Sequence, residues 1–84
     1  MIEPMAADDD HDPFASASNS AFLEAMEMAL SELPPRQRAV WMLREIEGMT
    51  FPQIGTVLSL SPDGARGHHH RARATLRQRL AQWR

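Results

Sequence analysis

SPDGARGHHHRARATLRQRL, residues Ser61–Leu80, carries a helix start signal, three consecutive histidines and a row of arginines. Ser61 suits an N-cap, Pro62 the first helical position, and Asp63 complements the positive end of the helix dipole. At 100° per residue, Ala65, His69, Ala72, Leu76, Leu80 and Trp83 fall on one narrow arc, which predicts the buried stripe. Arg66, His70, Arg73 and Arg77 line the adjoining face, with Gly67 and Arg71 beyond them. The polar side of this predicted helix is almost purely cationic. Gly64 and Gly67 each cost a helix interior about 1 kcal/mol relative to alanine.

Successive helical residues diverge by about 100°, so His68, His69 and His70 cannot converge on one ion. A helical metal pair needs partners three or four positions away. Gly64, Ala65, Arg73 and Ala74 stand there, and none of them is a ligand. No metal and no cofactor is expected. His69 is expected in the core, hydrogen-bonded or half-buried, His68 beside the stripe, and His70 among the arginines. No serine or cysteine nucleophile accompanies these histidines and no two carboxylates share a recognisable pocket, so the chain is not read as an enzyme.

Upstream, TFPQIGTVLSL (Thr50–Leu60) opens with Thr50 and, three residues later, Gln53, a capping box. Ile54, Val57 and Leu58 form the expected apolar face of that helix, and Ser59-Leu60 a short turn. PRQRAVWMLREIEG (Pro35–Gly48) places Val40, Leu43 and Ile46 in a stripe and ends on Gly48. SAFLEAMEMALSEL (Ser20–Leu33) spaces Phe22, Met26, Ala29, Leu30 and Leu33 helically, with Ser20 as its expected cap and Pro34-Pro35 as its stop. The expected fold class is all-α: a small four-helix domain over residues 20–84 with a C-terminal helix-turn-helix. Gly55 belongs where the paired helices meet closely. Residues 1–19 have few large apolar groups and are expected to form a disordered acidic tail or linker. His11, among its aspartates, is read as incidental.

Charge is segregated along the chain. Residues 1–32 hold eight acids and neither arginine nor lysine, whereas residues 61–84 hold six arginines against the single acid Asp63. All nine basic residues are arginines, the side chain suited to forked contacts with phosphate and guanine. This pattern predicts an acidic tail and a polyanion-facing end. With no cysteine, no apolar run near the roughly 18 residues of a membrane span and no secretion signal, the expected compartment is the cytoplasm.

LPPRQR (Leu33–Arg38), REIEGMTF (Arg44–Phe51), PQIGTVLSLS (Pro52–Ser61) and HRARATLRQRL (His70–Leu80) together resemble domain 4 of bacterial RNA polymerase sigma factors, especially the extracytoplasmic-function group. The resemblance implies recognition of a promoter minus-35 element through a recognition helix over 61–82, and docking on the flap of the polymerase β subunit. It places base and nearby backbone contacts on Arg66, Gly67, His70 and Arg71, and phosphates near Arg73 and Phe51. Ser61 and Arg77 complete the expected DNA-binding set. It also implies an anti-sigma factor as a partner. Neither a membrane nor a small-molecule substrate is expected. Departures from the family pattern at Asp63–Ala65 and Gly67–His69 bear on sequence preference. Read from Met1, the chain lacks a minus-10-reading domain, so an excised domain or a stand-alone relative is expected. Two other readings stand beside this one: a sigma-like protein-interaction module that binds an anti-sigma factor or acts as its decoy, and the helix-turn-helix output domain of a two-component regulator.

Overall fold

A proline stands in the first turn of each of the four described α-helices, where its missing N–H has no intrahelical partner to lose. The computed structural model describes residues 13–83, which form α1 (Pro13–Ser31), α2 (Pro35–Glu45), α3 (Phe51–Leu58), α4 (Pro62–Arg79) and a 3-10 turn, Ala81–Trp83. There is no strand among the described residues. None of the described helices is long and apolar enough to cross a membrane. α1 begins at Pro13, so Ser20 lies inside it and does not cap it. The fixed φ of a proline such as Pro13 suits a first turn, and Ala15 and Ala17 carry no propensity cost, which lets the helix start earlier. Residues 1–12 of the expected tail, His11 included, lie outside the described residues.

Side chains satisfy the helix ends. Thr50 Oγ1 accepts from the Gln53 amide (3.2 Å) and Gln53 Oε1 accepts from the Thr50 amide (2.9 Å), closing the capping box. Ser61 Oγ accepts from the Gly64 amide at 2.9 Å, and α4 runs unbroken through Gly64 and Gly67. At the carboxyl ends, Arg36 Nη1 donates to Leu58 O (2.9 Å) and Arg38 Nη1 to Ser31 O (3.2 Å). Cations at helix C-termini also meet the negative dipole end. Arg44 Nη1 donates to Met49 O (3.0 Å) across the α2–α3 loop, where Gly48 takes a φ of 72°. Thus the three arginines of α2 all hold backbone carbonyls.

All three preceding helices pack on α4. Ala29 and Leu33 of α1 meet Ala72 and Leu76 of α4, with Met26, Leu30 and Trp41 around them. Val40 of α2, Ile54 of α3 and Ala65 of α4 form a second cluster, flanked by Leu43, Met49, Phe51, Leu58 and Leu60. Ala65 and Ala72 are wholly buried, and their small size lets neighbouring helices approach the α4 backbone. Leu80 and Trp83 lie half-buried at the end of the stripe.

Three expectations shift. Ile46 is 61% exposed, because α2 ends at Glu45 and Ile46 is already its cap. Val57 is 58% exposed; on an eight-residue helix, burial of Ile54 and Gly55 turns Val57 outward. The last helix, expected over 61–82, ends at Arg79 with Leu80 as cap. Beyond it the chain tightens into the 3-10 turn, the usual response of terminal carbonyls with no donor four residues ahead.

Candidate nucleic-acid interface

α3, the Ser59-Leu60 turn and α4 aim the candidate site. Ser59 takes left-handed angles (φ 58°, ψ 48°), and the Leu60 amide donates to Gly55 O at 2.8 Å. Gly55 is needed for that closure: a Cβ there would stand 2.4 Å from Leu60 O. The close neighbour of Gly55 is therefore the backbone of the turn, which feeds directly into Ser61 and the start of α4.

With Ala65, His69, Ala72 and Leu76 buried, the exposed flank of α4 carries Arg66, His70, Arg71, Arg73 and Arg77. Gly67 is half-buried beneath the Arg71 guanidinium, whose Nη1 lies 3.5 Å from where a Cβ would be. His70, Arg73 and Arg77, with Ala74, line a shallow notch of about 130 Å³. Arg73 and Arg77 also rim a larger depression of about 370 Å³, whose apolar lining includes Phe22, Met26, Trp41 and Trp83. Those two arginines stand between the outward face and the α1 side of the domain. Arg79 pairs with Glu32 and ties α4 to the end of α1.

Two expected site residues are engaged internally. Ser61 uses its hydroxyl as the α4 cap. The Phe51 ring is half-buried, edge-on to His69 at 5.5 Å, with the Arg44 guanidinium 4.4 Å and that of Arg66 5.1 Å from its centroid. What the sequence reading left out is Asp63, whose Oδ1 accepts from Arg66 Nη1 at 2.5 Å. The i, i+3 spacing of an acid and an arginine was the available signal.

The three histidines enter three environments. His69 Nε2–H donates to Glu45 Oε2 at 2.7 Å, so the buried ring is hydrogen-bonded across α2 and α4 as expected of a core histidine. His70 is exposed among the arginines. Arg71 Nη2 lies 3.4 Å from His68 Nδ1, a long contact that needs a neutral imidazole to accept it. Burial, then the charge of Arg71, then that of Arg36, hold the His68 pKa below its ordinary value of 6.5. Below about pH 6.5 the unfolded chain takes up a proton at His68 that the folded chain resists, so stability falls with acidification through that window. Denaturant unfolding across it should therefore be less pH-dependent in His68→Gln than in the parent. Equal slopes would show that His68 contributes nothing. Among the described residues, no group of three or more histidines and carboxylates could hold a metal ion.

A helix-turn-helix with a cationic second helix is a plan shared by many DNA-binding proteins. Residues 23–76, which take in all of α2 and α3 and most of α4, match the protein family described as Sigma-70, region 4. The chain belongs to the sigma-70 family, as a region 4 domain. It is 39% identical over 56 residues to the ECF RNA polymerase sigma factor SigE of Mycolicibacterium smegmatis, covering 67% of this chain and 22% of that protein. It is 34% identical over 74 residues to the RNA polymerase sigma factor FliA of Pseudomonas aeruginosa, covering 88% and 30%. It is 34% identical over 77 residues to the RNA polymerase sigma factor CarQ of Myxococcus xanthus, covering 92% and 40%. The chain thus spans less than half the length of each of these curated relatives. No solved structure matches it. A region 4 domain is a DNA-binding regulatory module, not an enzyme.

Proposed function

We propose that this domain is the promoter-recognition module of a sigma factor of the extracytoplasmic-function group. It binds the minus-35 element with α4 in the major groove and docks on the flap of the RNA polymerase β subunit, in the cytoplasm. The observation that carries the reading is the division of α4. Its apolar edge is packed against three helices, while Arg66, His70 and Arg71, with the half-buried Gly67 beneath Arg71, face outward near its N-terminal end, the end that meets bases in helix-turn-helix complexes. Arg73, Arg77 and the start of α3 at Phe51 then lie toward phosphates.

A salt titration against promoter duplexes tests this reading. Each phosphate neutralised steepens the fall of log affinity with log salt by roughly 0.9. A region 4 domain with four or five phosphate contacts should show a slope near −4, whereas weak binding that salt does not change would end the proposal. A second reading is favoured by the apolar depression between α1, α2 and the end of α4, which offers Phe22, Trp41 and Trp83 to a protein partner. An anti-sigma factor suits it, and a pull-down with the candidate protein decides. Capture without any DNA binding would make the domain a decoy.

A further inference from the structure

We infer that Asp63 determines specificity on the DNA-reading face by holding Arg66 for a base edge and turning phosphate away. The inference rests on the DNA-binding reading of α4. Asp63 is the sole acid of residues 61–84, in the first turn of the helix, with its side chain 92% exposed. A carboxylate on a surface offered to a polyanion opposes binding. As an exposed ion pair it adds little to folding, and what the carboxylate gives the α4 dipole does not need Arg66. Its effect is to be sought in what Arg66 does.

Two contacts fix that guanidinium. Asp63 Oδ1 holds Nη1 at 2.5 Å, and the Phe51 ring lies 5.1 Å from its central carbon. Phe51 is itself seated against His69, which is anchored to Glu45. Of the five N–H donors in the fork, the bond to Asp63 uses one and leaves the rest for an acceptor pair such as guanine O6 and N7. A free arginine would swing to the nearest phosphate. A held one loses less freedom on meeting a base and gains less from meeting backbone. Asp63 therefore acts as a positioning residue whose influence is sequence preference rather than affinity.

The test uses the full 84-residue chain, its Asp63→Asn, Asp63→Glu and Arg66→Ala variants, and the double variant of Asp63→Asn with Arg66→Ala. The probe is a pool of duplexes with a randomised centre, sequenced after selection, together with salt titrations on the selected duplex. The parent should prefer guanine at one position by roughly tenfold or more, and Arg66→Ala should lose that preference at that position alone. Asp63→Asn should bind the pool at least as well and reduce the same preference by about three- to tenfold. Its salt slope should steepen by about 0.9 as Arg66 takes up a phosphate. Asp63→Glu should restore part of the preference, and the double variant should lose no more than Arg66→Ala. If Asp63→Asn strengthens binding to every duplex equally and keeps the preference, Asp63 is only a repelling charge and the inference is overturned. An Arg66→Ala variant that selects like the parent overturns it too, while leaving DNA binding intact. A parent that shows no salt-dependent binding at all removes both.

Discussion

Replacing Gly55 with alanine should lower stability by about 3 kcal/mol, toward the upper end for an overpacked site. The added carbon would stand 2.4 Å from Leu60 O and 3.3 Å from Leu60 C, both backbone atoms. No rotamer change relieves such a contact. The turn itself must move, and with it the 2.8 Å bond from the Leu60 amide and the Ser61 cap of α4. For a domain of this size the loss corresponds to a fall in melting temperature of roughly 12–24 °C. Gly67→Ala is the matched control. Its added carbon would meet only the Arg71 guanidinium, at 3.5 Å or more, and relief of the glycine penalty should stabilise by up to about 1 kcal/mol. Thermal unfolding of the three proteins, followed by circular dichroism, decides between them. If Gly55→Ala melts with the parent, the close turn described here is wrong.

Changing Arg73 and Arg77 together to glutamine should flatten the salt dependence of DNA binding by about 1.8 in log–log slope, twice the single-phosphate value. Between 50 and 200 mM salt the parent would then lose roughly 12-fold more of its affinity than the variant. Glutamine keeps length and helix propensity, and both positions are exposed, so folding should change little. Arg79→Gln supplies the contrast, because Arg79 is paired with Glu32 and should leave the slope nearly unaltered. Equal slopes for the double variant and the parent would remove these two arginines from the phosphate-facing set. A large effect of Arg79→Gln would mean that the flank reaches further along α4 than proposed.

Much of this architecture was legible in the residues. The α4 stripe could be projected because a long helix gives its apolar period several turns to declare itself. Thr50 with Gln53, and Ser61 before Pro62, are local signals that depend on nothing beyond their own turn. Ile46 and Val57 misled because periodicity marks an apolar edge without saying where the helix or its partner stops. The earlier start of α1 was hidden by small and polar residues that carry no periodic mark. Least legible were the arginines. Arg36, Arg38 and Arg44 are spent on carbonyls from other segments, one of them 22 residues distant, and no local spacing announces such bonds. The Asp63–Arg66 pair was visible as a spacing, but its link to Phe51 required the fold.

The contrast between Gly55 and Gly67 also bears on how such a domain could acquire new targets. One glycine is locked by main-chain atoms and the other lies under a movable guanidinium. Any mutational route through the first forfeits the scaffold. A route through the second adds a side chain on the surface proposed to face the groove without disturbing what lies beneath, so retargeting can begin at position 67 while the hydrophobic interior stays unchanged.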